Sequence, residues 1–302
     1  MLKEKEFYAV EKVSFKDLLK WRVERFLKKK DLSFQVPHIE KVDTEFIGSN
    51  RQVTAVTWIG HATFLIQMKG LNILSDPVWA SRLGFEKRLT KPGVPIEHIP
   101  DIDIVLISHN HYDHLDFRTL IKLKGNPLFL VPKGLKITFL RKGLNNTKEF
   151  SWWDSMFHKG LKISFIPSLH WSRRNLNDLN KSLWGGWMIE GDKANIYFVG
   201  DSGYHNGFKQ IGRQFKVDCV LMPIGSYEPE WFMESQHLTP EQAVQGYQDL
   251  KADLFIPMHY DSFRLADDTP KEALDRLVAK WHNKRLDMEN LKILKLGETL
   301  VF

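Results

Sequence analysis

Residues 108–116 read Ser108-His109-Asn110-His111-Tyr112-Asp113-His114-Leu115-Asp116, directly after the apolar run 104–107. His109, His111, Asp113 and His114 put imidazole nitrogens and a carboxylate within a few positions, a donor set suited to zinc and other borderline divalent ions. A loop leading from a strand towards a helix can turn such side chains to one point. His109 and His111 could bind one ion while Asp113 and His114 bind its neighbour. The alternative is a polar turn with solvated histidines, and this density of donors after a strand argues against it.

A site of this kind needs further donors from other strand ends, and three are found. His170 follows the run 163–166, Asp201 follows 196–199 and Gly200, and His259 follows 254–256 and Pro257-Met258. Functional side chains gather on loops held by a rigid frame. Each residue alone reads more readily as structural; together with the first cluster they read as ligands.

The frame is visible as short apolar runs bounded by Gly, Pro, Asn or Asp, which predict strands at 53–58, 63–67, 71–74, 104–107, 128–131, 162–166, 196–199, 219–222, 254–257, 291–296 and 299–302. Two helix starts are well marked. Thr239-Pro240-Glu241-Gln242 and Thr269-Pro270-Lys271-Glu272 each combine an N-cap threonine, a first-turn proline and a capping-box partner. The strands come in groups rather than in strict βαβ alternation. The expected architecture is α+β, with two mixed sheets packed together and helices outside; a doubly wound parallel sheet is the second choice. Residues 51–302 read as one layered domain. Residues 1–50 read as a helical and extended segment packed on it, with Phe15, Leu18, Leu19, Val23, Phe26 and Leu27 at near-helical spacing among Arg22, Arg25 and Lys28-Lys29-Lys30. A basic amphipathic helix at an anionic membrane surface is the alternative for that stretch.

The run His109-x-His111-x-Asp113-His114, with the later His170, Asp201 and His259, resembles the metallo-β-lactamase superfamily. The segments 57–63, 75–77, 183–185, 200–204, 223–229 and 231–233 narrow the likeness to N-acyl-phosphatidylethanolamine phospholipase D and its bacterial relatives. The resemblance covers roughly residues 50–300. It implies an αββα sandwich with a two-metal site, His109, His111 and His170 on one metal, Asp113, His114 and His259 on the other, and Asp201 bridging. It also suggests a homodimer.

The expected cofactors are two zinc ions, although manganese or iron could occupy the same donors. The expected chemistry is phosphodiester hydrolysis of the phospholipase D type, through a metal-bridging hydroxide, on N-acyl-phosphatidylethanolamine or a similar phosphodiester. Asp113, Asp201 and Tyr112 are the residues read as taking part in it. A hydrolase of the same fold acting on a lactone or a small phosphorylated metabolite is the alternative, with a nuclease or a non-enzymatic metal-stabilised scaffold behind it. An aspartate at position 201 argues against β-lactam hydrolysis. A metal-bound histidine usually gives its other N–H to a carboxylate or carbonyl, and Asp76, just after the run 71–74, is the expected partner. His61, after Gly60, is read as lining the site or as a buried structural histidine. Arg173 and Arg174 are candidates for phosphate contact. Trp184, Tyr227, Gln236 and His237 are candidates for the rest of the substrate.

Composition sets the outer bounds. The chain has 302 residues, 43% apolar and 26% charged, with a formal charge of +6 that favours anionic partners without choosing among them. A single cysteine, Cys219, excludes an internal disulfide and a four-cysteine zinc site and fits a reducing compartment. Residues 1–12 hold no apolar signal core, and no stretch approaches the roughly 20 apolar residues of a membrane span. The expectation is therefore a cytoplasmic protein, at most peripheral to the inner face of the membrane. Its basic residues form no tract beyond 22–30, so no nucleic-acid partner is expected.

Overall fold

The computed structural model describes residues 7, 8 and 15–302. The rest of the N-terminal stretch and the side chains of Phe15 and Leu18 lie outside the described residues. The strands are β1 (Ala55–Gly60), β2 (Thr63–Met68), β3 (Leu71–Ser75), β4 (Arg82–Leu83), β5 (Glu86–Lys87), β6 (Ile104–Leu106), β7 (Leu128–Pro132), β8 (Thr147–Phe150), β9 (Ser155–His158), β10 (Leu161–Ile166), β11 (Gly186–Glu190), β12 (Asn195–Phe198), β13 (Cys219–Pro223), β14 (Leu254–Met258) and β15 (Thr299–Val301). They form a seven-stranded sheet in the order β15-β1-β2-β3-β6-β7-β8, a six-stranded sheet in the order β14-β13-β12-β11-β10-β9, and the small hairpin β4-β5. Both large sheets are mixed. Pairing is antiparallel from β15 to β3 and parallel from β3 to β8. It is antiparallel from β9 to β12 and parallel from β12 to β14.

Side-chain alternation along the strands produces the layers. Phe64 and Ile66 of β2, Ile73 of β3, and Ile104 and Leu106 of β6 enter the core between the sheets. Their neighbours Leu65, Leu74 and Val105 enter a second core on the far face. There they meet Ile47 of α2 (Thr44–Ser49), Leu120 of α3 (Phe117–Leu120) and Phe139 of α4 (Lys136–Leu140). The other sheet is covered by α5 (Gly207–Gln214), α7 (Pro240–Leu250) and α8 (Pro270–Asn283), with the short α6 (Glu230–Met233) before α7. The result is the expected αββα sandwich. Burying a large apolar side chain is worth about 1.5–3 kcal/mol. The cores therefore fix the strand ends on which the functional loops are mounted.

Both predicted capping boxes are formed, on Thr239 and Thr269. Five strands carried no clear sequence signal, among them the two-residue β4 and β5 of the small hairpin. β8 and β9 lie at sheet edges and mix exposed with buried positions. The apolar run of β11 starts with a glycine. The expected strand at 291–296 is instead an extended segment tied by a bridge from Leu291 to Phe255 and another from Leu296 to His38.

The helix α1 (Phe15–Leu27) docks by the side that carries Trp21 and Arg25, with the Trp21 ring stacked on Phe232. The Trp21 indole donates to the Asp267 carboxylate at 3.0 Å, Arg25 donates to the Arg264 carbonyl at 3.2 Å, and Lys30, just beyond, bonds Glu272 at 2.7 Å and Glu228 at 2.9 Å. Leu19, Val23, Phe26 and Leu27, part of the apolar stripe noted in the sequence, face outward. No described helix is long and apolar enough to cross a membrane.

Candidate metal centre

The metal-capable side chains converge at one end of the sandwich, beyond β3, β6, β10, β12 and β14. His109 Nε2 lies 2.9 Å from His111 Nδ1, and His170 Nε2 lies 3.4 Å from the same atom. In a second group, His114 Nε2 is 3.2 Å from Asp113 Oδ2 and 3.0 Å from His259 Nε2, and His259 Nε2 is 3.3 Å from Asp113 Oδ2. Asp201 reaches both. Its Oδ2 is 3.9 Å from His109 Nε2, 3.8 Å from His170 Nε2 and 3.2 Å from His114 Nε2, while Oδ1 is 3.2 Å from His259 Nε2.

The hydrogen bonds behind these rings set which nitrogen faces inward. Asp76 accepts from the Ser108 backbone N–H at 2.7 Å, from the Ser108 hydroxyl, and from His114 Nδ1–H at 2.7 Å. The Ser108 oxygen in turn accepts from His109 Nδ1–H at 2.9 Å. The backbone carbonyl of Gln236 accepts from His170 Nδ1–H at 3.0 Å. With their Nδ1 protons committed outward, His109 and His170 point bare Nε2 lone pairs at His111. With the His111 proton on Nε2, its Nδ1 adds a third lone pair and the three enclose a place for a cation; a proton on Nδ1 would instead bridge to one of them. An ion such as zinc, with bonds of about 2.0–2.1 Å, holds tetrahedral donors about 3.3–3.4 Å apart, close to the separations found here. The residues present therefore fit two divalent ions.

Burial pushes His109 and His170 well below the usual imidazole range and His111 down to about 4. The other group behaves oppositely. Burial works against charge on His114 and His259, but Asp201 and Asp113 outweigh it, holding His114 well above its ordinary value and His259 at about 9. Burial likewise works against ionised Asp113 and Asp201, and the facing histidines pull both well below the usual carboxylate range. The two carboxylates thus collect positive charge on their neighbours, which is what a cation supplies.

His61 lies beside the second group, with Nε2 3.1 Å from Asp113 Oδ2 and its ring centroid 4.0 Å from that of His259. Its backbone is left-handed (φ 55°), and its N–H is held at 2.7 Å by the Asp261 carboxylate, which Thr90 and Ser262 also bond. His237 Nδ1 is 3.8 Å from Asp201 Oδ2, and its ring lies 5.2 Å from that of His170. The Gln236 side chain accepts from the Trp171 indole, whose ring packs at 4.5 Å on His111.

The remaining sequence candidates stand further from the donors. Tyr112 is half exposed, and its hydroxyl donates to the Arg174 carbonyl at 3.1 Å. The Arg174 guanidinium is spent on the Asn110 and Leu115 carbonyls, at 3.0 and 2.8 Å, so it braces the metal loop. Arg173 is exposed at the rim and bonds the Asn175 carbonyl. Trp184 is fully buried, its indole donating to the Phe7 and Ser168 carbonyls, and Tyr227 is fully buried under Arg276. Burial keeps both of these rings within the frame, away from any substrate surface. Sequence reasoning missed three supports: Ser108, the Gln236 carbonyl, and Phe7, whose carbonyl also accepts from the His170 backbone N–H at 3.3 Å. Only Ser108, adjacent to His109, carried a local signal.

Comparison with known proteins agrees with this geometry. A family model described as a beta-lactamase superfamily domain matches residues 71–260. The chain is 36% identical over 245 residues to N-acyl-phosphatidylethanolamine-hydrolyzing phospholipase D 1 of Caenorhabditis elegans, covering 74% of this chain and 69% of that protein. It is also 36% identical over 242 residues to the mitochondrial N-acyl-phosphatidylethanolamine-hydrolyzing phospholipase D of Saccharomyces cerevisiae, covering 74% of this chain but only 52% of the yeast protein. A metallo hydrolase from the archaeon Ignicoccus hospitalis shares the fold, with a TM-score of 0.65 at 22% identity over 83% of this chain and 99% of that one. Fold and site together define a metal-dependent hydrolase. The chain belongs to the metallo-β-lactamase superfamily, as a relative of the N-acyl-phosphatidylethanolamine-hydrolysing phospholipases D.

Proposed function

We propose that the protein is a zinc-dependent phosphodiesterase that cleaves N-acyl-phosphatidylethanolamine, or a closely similar phosphodiester, at the bond on the headgroup side. The observation that carries this reading is Asp201, a carboxylate facing both donor groups at 3.2–3.9 Å. The likeness to two phospholipases with that named activity supports the substrate class.

When bound, a pair of divalent ions supplies charge to neutralise phosphoryl oxygens and lowers the pKa of water near phosphorus. The protein's own part is positioning. Asp76 and Ser108 hold His114 and His109, and the Gln236 carbonyl holds His170, so the donors need little rearrangement. Asp113 and Asp201 stay ionised and keep the two groups together. His237, beside Asp201 and with burial pressing its pKa to about 4, would serve the substrate as a neutral hydrogen-bonding group. Trp171 and the Gln236 side chain form the adjoining wall.

The test is a substrate panel on protein with its metals counted: detergent-dispersed N-acyl-phosphatidylethanolamine, an aryl phosphodiester, a lactone and RNA. The expected result is metal-dependent release of phosphatidic acid from the phospholipid, faster than turnover of any other member. Faster lactone turnover, with the phospholipid untouched, would replace this reading with the small-molecule hydrolase.

A further inference from the structure

α1 turns an apolar face to solvent. Leu19, Val23, Phe26 and Leu27 are 55%, 52%, 89% and 72% exposed. At about 100° per residue they fall within one sector of roughly 100°, opposite Trp21 and Arg25, which anchor the helix. The helix is thus fixed to the domain by hydrogen bonds, ion pairs and the stacking of Trp21 on Phe232 at 5.5 Å, while its oily side is left free. Lys20 and Arg22 border that sector, and the exposed Lys28 and Lys29 follow it.

A second element joins the same surface. Phe85, fully exposed, sits at the tip of the β4-β5 hairpin, where Gly84 with φ 57° makes the tight turn. Glu86 follows Phe85 directly, and the exposed Arg82 and Lys87 pair at the base of the hairpin. Arg25 lies 3.7 Å from Glu86 and so links hairpin and helix. On the other side, Trp231 of α6, 44% exposed, lies under Lys20 at 4.1 Å and donates to Glu24 at 3.2 Å. α6 runs directly into Gln236 and His237 at the metal centre, so the apolar surface lies one short helix from the site.

We infer that the outer face of α1 and the tip of the β4-β5 hairpin dock the enzyme on an anionic phospholipid bilayer. Aromatic and aliphatic side chains bordered by Lys20, Arg22, Lys28 and Lys29, with Glu24 and Glu86 turned to Trp231 and Arg25, match an interface of acyl chains beneath negative headgroups. A second copy of the chain is the poorer occupant, because the stripe carries a cation on each border, Lys20 on one and Arg22 on the other, so a two-fold contact would bring like charges together along its edges. The inference rests on the lipid-substrate reading, for which it supplies the delivery surface.

The experiment uses the metal-loaded protein in two assays. The first is flotation with vesicles of equimolar phosphatidylcholine and phosphatidylglycerol, compared with phosphatidylcholine alone. The protein is expected to float with the anionic vesicles, less with neutral ones, and less at high salt. The double variant Phe26→Asp with Phe85→Asp removes exposed rings, so the fold is not at risk, and should lower anionic-vesicle partitioning by at least about tenfold. Arg22→Glu should lower it several-fold. The second assay is turnover of detergent-dispersed N-acyl-phosphatidylethanolamine, which all three proteins should share. No flotation of the wild type, or equal flotation of the double variant, overturns the docking surface even if turnover is intact. Flotation without phospholipid turnover keeps the surface and removes the substrate reading instead. A wild-type dimer that the double variant splits, with no lipid dependence, assigns the face to a second copy and overturns the inference.

Discussion

The two donor groups of the metal centre are made from similar side chains but supported differently. His109 and His170 lean on neutral acceptors, a serine hydroxyl and a backbone carbonyl, and burial keeps them uncharged. Asp113, His114 and His259 sit among carboxylates, with Asp76 behind His114 and His61 beside Asp113. The first group is a set of neutral lone pairs ready for a cation. The second already concentrates opposite charges, so its imidazoles must release protons as metal enters. Asp201 is the side chain that faces both, and Asp76 is the support that reaches both, directly to His114 and through Ser108 to His109.

The largest expected effect follows from that shared position. Asp201→Asn keeps the shape but removes the charge facing both groups. Turnover should fall by several orders of magnitude with circular dichroism unchanged, while His111→Ala should match it in rate but lose mainly the metal of the histidine group. Near-normal turnover by either variant at full metal content would remove the two-metal assignment. Asp76→Asn should come next. Loss of a second-layer carboxylate typically costs about 10–100-fold in metal affinity, and here chelator competition should show both ions weakened. Weakening of one ion alone would mean that the Ser108 relay does not couple the groups.

The converging donors were legible because chemistry and position coincide in them. A histidine or aspartate just past an apolar strand run is visible in one sequence, and His170, Asp201 and His259 were found that way. Asp76 was found by the same rule. The supports were harder to read because they act through atoms the sequence does not distinguish. Any residue at position 236 carries the carbonyl that orients His170, and any residue at position 7 carries the one that bonds its backbone N–H. Trp184, Tyr227 and Arg174 were read as substrate groups because tryptophan, tyrosine and arginine suit ligands, but their burial or carbonyl contacts commit them to the frame. The stripe on α1 shows the converse. Its apolar spacing was legible, yet which side met the domain depended on Asp267, Glu228 and Glu272, in the last third of the chain. β8 and β9 escaped notice because edge strands with a wet face need no continuous apolar run.

A smaller effect separates the groups. His61→Asn keeps a residue that tolerates the left-handed backbone but withdraws the imidazole beside Asp113. The ion of the carboxylate group should weaken by about tenfold, at the low end of second-layer losses, and the histidine group should not respond. Stepwise metal release followed by competition with a chromogenic chelator reads this directly. Equal loss from both groups would show that His61 supports the centre as a whole.

The mildest variant, Gln236→Leu, tests the division between backbone and side chain at one residue. The carbonyl that orients His170 is retained, so both ions should bind as before. The side-chain amide that accepts from Trp171 is lost, freeing a wall that touches His111. The change should therefore appear in KM for the phospholipid, a few-fold at most, with kcat and metal content held. A fall in kcat together with loss of the metal beside His170 would mean that the carbonyl moves with the side chain. The orientation of His170 would then depend on the Trp171–Gln236 contact as well as on the backbone.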